Sequence, residues 1–490
     1  MKTIKSYYME CLIFGLITLI FLYKLDYHYF FTDEILYVQK GAEQIEGIFE
    51  EALQVPPLTK YIAGALFLLF KDNVFLLRLP FGLVGVITAY VLYMIVSREF
   101  NRKFGLLAAI LFSTSKVIFD STRMVMLESP MHLFWLLFLY FYYETFEKNH
   151  WKFYVFSGVF LGLSLSVKLS SIILVAFALC GFIYKLFFLK FDKRLLSKNY
   201  LAMIVSSTTL LLLIYAHMLI KTGVILALEQ TAKAVKDVYI NKSSEGKVHV
   251  VRGVVYEKST WWTYIYQYYI SNGLLRIVLY PCLIFIAMLR KNFYSFYWLT
   301  MFVITVCFFQ ISGVKNARYI SSIEIVSLPL VVAGIAHTLR HFNHYKLLKG
   351  ALVTILFVLV FKQASYLVKL QPTKYFGLYK YFRSETADFT NYKRMYVFGS
   401  VRSMKWYRDM VPNKDMFIYR KDYEIMCPEF DSFDYIAFDK DELRKFPNNV
   451  LYAYVKENQA NFQLVNDIRD MYVYKRVVTG GTVFECPIVD

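Results

Sequence analysis

Eleven stretches of this chain are apolar over most of their length, and short polar segments separate them. They run 7–23, 75–97, 104–120, 130–146, 153–168, 169–189, 200–220, 273–289, 293–311, 319–338 and 350–368. A helix needs about 20 mostly apolar residues to cross a bilayer, so the pattern predicts a polytopic α-helical membrane protein. The stretch 57–70 is apolar but shorter, and is expected to lie as an interfacial or re-entrant helix. Past residue 370 the pattern changes to alternation. "RMYVFGS", "DMFIYRK" and "DYIAFDK" read as short strands, "VRSMKWYRDM" as a helix between the first two, and "FQLVNDIRDMYVYKRV" as a closing hairpin. The expected organisation is a membrane domain over 1–369, with outer loops at 26–74 and 221–272, followed by a small α/β domain over 370–490.

Composition excludes an ordinary soluble protein. The 490 residues are 57% hydrophobic and 19% aromatic, with mean hydropathy +0.42, whereas soluble domains are about 45–50% apolar. The first stretch is too long, and lacks the small-residue cleavage site, for an ordinary signal peptide; it is expected to be retained.

The formal net charge of +18 then orients the chain. Lys2 and Lys5 precede the first span, and Arg98/Arg102/Lys103, Lys190/Lys193/Arg194/Lys198, Arg290/Lys291 and Arg340/Lys346/Lys349 fall in alternate loops. Cytoplasmic loops carry the excess of Lys and Arg, so the N-terminus is expected in the cytoplasm and the tail outside the cell membrane. The first outer loop is acidic, with Asp26, Asp33, Glu34, Glu43, Glu46, Glu50 and Glu51 against Lys40. One outer loop departs. Residues 222–260 carry Lys233, Lys236, Lys242, Lys247, Arg252 and Lys258. Either the count is off by a span or this loop meets an anionic ligand, and the ligand is preferred. Basic residues spread over many loops indicate lipid headgroups rather than nucleic acid as the partner.

Cys11, Cys180, Cys282 and Cys307 fall in spans and are expected to be buried, inert thiols; Cys427 and Cys486 fall in the tail and leave a disulfide open. Asn241 begins an "NKS" sequon on the predicted outer loop. There is no CxxC or zinc-ligand spacing and no internal repeat.

With this topology several charges share the outer face. They are the Asp33–Glu34 pair, Arg78 in "LLRLPFG", Arg123 and Glu128 in "FDSTRMVMLESPM", Lys168 in "GLSLSVKLSS", and Lys315 and Arg318 in "GVKNARYISSIEIVSLPL". Charges at the bilayer are expensive and mark functional sites. A carboxylate pair facing cations suits transfer of a sugar from a polyprenyl phosphate. The cations would stabilise the leaving phosphate, a carboxylate would take the proton of the attacking hydroxyl, and aromatic spans would hold the prenyl tail. Each item also has a plainer explanation. A solvated Asp–Glu pair, cations snorkelling at span ends, Arg318 with Tyr319 in an aromatic belt, and hydrogen-bonded core histidines at His132 and His217 account for them singly. Rival functions are a transporter or flippase for a lipid-linked anion, which the absence of inverted repeats disfavours, and a membrane scaffold presenting the tail.

"TDEILYVQKGAEQIEG…VPPLTKYIAGAL" resembles the first outer loop of the polyprenyl-phosphate-sugar-dependent glycosyltransferases, the group of the protein O-mannosyltransferases and aminoarabinose lipid A transferases with the GT-C fold. Its pattern, an Asp–Glu pair and then Pro-Pro-Leu before an interfacial helix, matches Asp33, Glu34, Pro56, Pro57 and Leu58. "RLPFGLVG" at Arg78, "STRMVMLESPM" from Arg123 to Glu128, "GLSLSVKLS" at Lys168 and "KNARYISSIEIVSLPL" at Lys315, Arg318 and Tyr319 resemble later motifs in the same order, over roughly 10–340. The tail is similar to that of the bacterial lipid A branch. The resemblance implies a polyprenyl (dolichyl or undecaprenyl) phosphate sugar as donor, a protein, glycolipid or glycan hydroxyl as acceptor, Asp33 as general base and Glu34 as an orienting group. It also shows a departure. Gln54 and Val55 stand where the family often has His, or Glu-Lys, before the prolines. Gln54 replaces the acidic residue that helps hold a metal ion in the lipid A branch, so no cofactor is predicted and a divalent metal is disfavoured. The missing phosphate-binding Lys would be replaced by Lys60 or by the basic 222–260 loop.

Overall fold

The structure is a computed structural model that describes residues 2–26, 32–49, 53–71, 73–224, 226, 229, 232, 236, 249–251, 254–256, 263–311, 317–341, 346–368, 374–386, 393–398, 416–420, 433–440, 443, 450–457, 461–468 and 471–477. The chain divides into two compact units, 1–25 with 37–369 and 26–36 with 370–490.

The first unit is helical. Its elements are α1 (Lys2–Leu22), most of α2 (Thr32–Ile45), α3 (Pro57–Phe70), α4 (Val74–Glu99), α5 (Arg102–Ser113), α6 (Lys116–Thr122), α7 (Glu128–Glu147), α8 (Trp151–Val167), α9 (Ile172–Phe187), α10 (Lys193–Thr222), α11 (Thr263–Asn272), α12 (Leu274–Met288), α13 (Phe293–Ile311), α14 (Ala317–His341) and α15 (Lys346–Val368). A short β-ribbon, β1 (His249–Val251) with β2 (Val254–Tyr256), precedes α11. Among the described residues five helices are each long and apolar enough to cross a membrane, and α5 with α6 makes a sixth. The protein is a multi-pass membrane protein.

Small residues set the helix packing. α8 carries Gly158 and Gly162 four apart, and a Cβ on either would meet the α10 backbone at Met203 or Ser207. Helices approach this closely in a bilayer where small residues recur every fourth position. Gly82 of α4 makes room for the Leu22 side chain of α1, and Gly85 for the Phe21 ring. Gly41 of α2 and Gly64 of α3 face each other, with the Lys60 carbonyl against Gly41. α10 is only 17% buried over its apolar stretch and turns Leu201, Ile204, Val205, Leu212 and Leu213 outward, whereas α14 is 89% buried. α10 thus faces lipid and α14 is central to the bundle.

The structure corrects three expectations. The stretch 104–120 is not one helix, because α5 and α6 meet at an angle of 72°. Thr114 and Ser115 occupy the break; Thr114 Oγ1 bonds back to the Ile110 carbonyl and Ser115 caps Ile118 N. Hydroxyls that bond to the backbone compete with the helical ladder. The acidic segment after the first span is not all loop. α2 starts there, with Asp33 and Glu34 in its first turn, where carboxylates are favoured by the helix dipole. Ile35, Val38 and Ala42 form its buried face at helical spacing. Finally, Cys11, Cys180, Cys282 and Cys307 are free but exposed on helix surfaces rather than buried.

In the second unit, β3 (Met395–Phe398), β4 (Phe417–Arg420), β5 (Tyr435–Asp439), β6 (Phe462–Ile468) and β7 (Met471–Arg476) form one sheet in the order β4-β3-β5-β7-β6. β3 pairs in parallel with β4 and β5; β5 and β6 pair antiparallel to β7. Every residue of β5 is buried, as befits a middle strand. Phe398, Phe438, Val455 and Phe462 belong to its core, and α16 (Lys374–Glu385) and α17 (Val450–Glu457) are its helices. The predicted helix at 401–410, Cys427, Cys486 and Asn241 lie outside the described residues, as do Lys233, Lys242, Lys247, Arg252 and Lys258 of the basic loop.

Candidate active site

The first unit gathers several of the predicted residues at one turn. α7 begins at Glu128, whose side chain is buried. α8 ends at Lys168, where the backbone becomes extended (φ −154°, ψ 130°) before a single 3-10 turn, Leu169–Ser171. Lys168 Nζ donates to Glu128 Oε1 at 2.7 Å and lies 4.8 Å from the centre of the Tyr319 ring. Tyr319 stacks on Phe309 at 4.9 Å. Arg318, in the first turn of α14, donates to Met126 Sδ at 3.3 Å. Glu128 Oε2 makes no hydrogen bond among the described residues. One turn along α7, His132 is buried, with Nε2 3.2 Å from Ser322 Oγ and 3.3 Å from Ser321 Oγ, which ties α7 to α14.

Arg78 and Arg123 are also buried, but they bond to backbone. Arg78 donates to the Leu25 carbonyl at 3.0 Å. Arg123 donates through Nε to the Phe21 carbonyl at 3.0 Å and through a second nitrogen to the Tyr23 carbonyl, with its guanidinium over the Phe119 ring at 4.4 Å. The last carbonyls of a helix lack intrahelical partners and attract cations. Two arginines, from α4 and from the end of α6, therefore hold the C-terminal end of α1.

Pro56 and Pro57 open α3, Pro57 at the first helical position, where its missing N–H costs nothing. Lys60 follows and is fully buried. α3 is too short to cross the membrane, and burial alone pushes the Lys60 ammonium down to about 7. Gln54 is exposed, and among the described residues no three His, Cys, Asp or Glu side chains converge as metal ligands. In the second unit, Glu34 is fully buried and Asp33 half-buried. Lys315 lies outside the described residues.

Sequence reasoning missed a second polar cluster. Arg276 of α12 and Glu324 of α14 form a fully buried ion pair at 2.7 Å. The available signal was one charge inside each of two apolar stretches. Beside it lies a cavity of about 200 Å³, whose walls include Tyr264, Tyr268, Tyr280, Phe302, Val306 and Glu324.

Residues 54–220 match the family described as dolichyl-phosphate-mannose-protein mannosyltransferase. Among curated proteins none matches the sequence. Among solved structures, ArnT from Cupriavidus metallidurans in the apo state superposes with TM-score 0.59 at 13% identity, over 96% of this chain and 98% of that one. The same enzyme bound to undecaprenyl phosphate gives TM-score 0.58 at 12% identity, over 97% and 100%. The archaeal oligosaccharyltransferase AglB from Archaeoglobus fulgidus, in complex with an inhibitory peptide and a dolichol-phosphate, gives 0.56 at 11%, over 89% and 70%. The structural likenesses show the GT-C fold. The family match, which spans Lys60, Arg78, Arg123, Glu128 and Lys168, adds the activity: the chain is a membrane glycosyltransferase of the GT-C type.

Proposed function

We propose that this membrane glycosyltransferase moves a sugar from a polyprenyl phosphate to a hydroxyl acceptor at the outer membrane face. The acceptor oxygen attacks the anomeric carbon, the bond from that carbon to the phosphate oxygen breaks, and its electron pair stays on the departing polyprenyl phosphate. Asp33 takes the acceptor proton as general base, and Glu34 orients the acceptor. Lys168, Arg318 and Lys315 stabilise the charge growing on the phosphate, Lys60 supplying the cation that Val55 does not. Arg78 and Arg123 support the site by holding the end of α1. The aromatic cavity beside Glu324 suits the prenyl tail.

The observation that carries this proposal is the meeting of Lys168, Glu128, Arg318 and Tyr319 at the junction of α7, α8 and α14. A cation held by one carboxylate oxygen and an aromatic face is poised to receive a phosphate. Undecaprenyl phosphate in the ArnT structure and dolichol-phosphate in the AglB structure are ligands of the chemistry proposed. The topology that goes with it has eleven spans, a cytoplasmic N-terminus and an extracytoplasmic tail.

The test is incubation of the purified protein, reconstituted in sealed lipid vesicles, with a panel of polyprenyl-phosphate sugars and hydroxyl acceptors. Consumption of one donor with release of polyprenyl phosphate is expected. Donor movement across the bilayer without any loss of its sugar would replace the proposal with transport.

A further inference from the structure

The Arg276–Glu324 pair is wired to more than itself. Glu324 Oε1 accepts from Arg276 at 2.7 Å, and Oε2 accepts from Ser115 Oγ at 2.6 Å and from Asn272 Nδ2 at 3.3 Å. The other arm of Arg276 donates to Thr114 Oγ1 at 2.9 Å. Asn272, the last residue of α11, accepts with Oδ1 from the Lys116 backbone N–H at 3.1 Å. Thr114, Ser115 and Lys116 are the two break residues between α5 and α6 and the first residue of α6. Three helices, α11, α12 and α14, thus converge on the break between α5 and α6, and every side chain named except Lys116 is buried.

What the break directs is the site. α6 is seven residues long and is followed directly by its C-cap residue, Arg123, and the chain then runs through Met126 to Glu128. α14 carries Glu324 and, about 9 Å earlier along its axis at 1.5 Å per residue, Arg318 and Tyr319. One pair therefore holds both the element that leads into Arg123 and Glu128 and the element that presents Arg318 and Tyr319. Replacing a buried ion pair by apolar residues often costs little stability, so stability alone does not account for this arrangement.

We infer that Arg276 and Glu324 are positioning residues. By fixing the angle of α6 against α14, they keep the Arg123–Glu128 turn in register with Arg318 and Lys168 for transfer. The inference rests on the proposed active site.

The test uses the full-length protein in nanodiscs and compares Arg276→Lys, Glu324→Gln and Lys168→Gln, with kcat, donor KM and thermal unfolding measured for each. Arg276→Lys is the decisive variant. It keeps the charge opposite Glu324 but has no planar fork to reach Thr114 as well. Misplacement by about 1 Å can cost about 100-fold in rate, so Arg276→Lys and Glu324→Gln are expected to lower kcat by about 10- to 100-fold per folded molecule, with donor KM changed by less than about threefold. A merely structural pair would lower the folded fraction and leave kcat and KM of the folded molecules at wild-type values, and that result overturns the inference. Should Lys168→Gln retain full activity, the active-site proposal falls, and the positioning role falls with it. Impaired Lys168→Gln beside wild-type kcat in both pair variants removes the positioning role alone.

Discussion

Lys168 and Glu128 meet at 2.7 Å across 40 residues of sequence, one at the end of α8 and the other at the start of α7. Both are largely buried, so removing either strands a charge, at a cost of about 3–5 kcal/mol. Glu128→Gln and Lys168→Gln are each expected to destabilise the protein by about that amount, and the double variant by clearly less than the sum. Thermal unfolding in detergent measures this. Transfer should stay about 100-fold down in every variant lacking Lys168. Strictly additive stability losses would show that the two charges are not coupled.

Asp33→Asn preserves shape and removes basicity. A general base contributes about 10²–10⁴ in rate, so transfer should fall by that factor while insertion and donor binding persist. Glu34→Gln is expected to lose less. Wild-type transfer by Asp33→Asn with an inactive Glu34→Gln would reverse the two roles; full activity in both would end the proposed mechanism.

Lys60 makes donor binding sensitive to pH. Its ammonium is held down at about 7 by burial, so it is charged below that pH and neutral above it. A phosphate needs the charged form. Donor KM should therefore rise as pH increases through about 7, and Lys60→Gln should flatten that step. Folding has its own sign: the unfolded chain holds this proton up to the ordinary value of 10.5, so this group's share of stability grows as pH rises from about 7 to 10.5. A KM profile identical in wild type and Lys60→Gln would remove Lys60 from the donor site.

The α8–α10 seam predicts a packing defect. Gly158→Leu puts a large side chain where even a Cβ meets the Met203 carbonyl. Overpacking costs about 1–3 kcal/mol or more, and here backbone must move. A marked drop in unfolding temperature is expected, whereas Leu212→Ala on the exposed face of α10 should leave it nearly unchanged. Equal tolerance at both positions would contradict the close approach of these helices.

How much of this was legible in the sequence depended on how local each signal is. A membrane helix announces itself because hydropathy sums over about 20 residues, and α13 coincides with its predicted stretch at 293–311. The break between α5 and α6 was hidden, since Thr114 and Ser115 look like tolerable interruptions until Glu324 is placed beside them. α2 was obscured by its acidity, although Ile35, Val38 and Ala42 already had helical spacing. At the site, charges flanking spans singled out Glu128, Lys168 and Arg318, and the structure brings these together. For Arg78 and Arg123 the charge was visible but not the partner, because a backbone carbonyl leaves no mark in a sequence. Arg276 and Glu324 were overlooked because each is a lone charge in an apolar run, and only the fold pairs them.

The broken span also sets an order of events during synthesis. Neither α5, at 12 residues, nor α6, at seven, can cross a bilayer alone. Ser115 must wait 209 residues for Glu324. At roughly 5–20 residues per second that interval is about 10–40 s. Over that time Thr114 can bond to the Ile110 carbonyl and Ser115 can cap Ile118 N, but the Ser115 hydroxyl proton has only water, lipid headgroups or the translocation machinery in place of Glu324. The segment that leads into the active site is therefore among the last parts of the membrane unit to be consolidated, and a nascent chain that stops short of α14 cannot complete it.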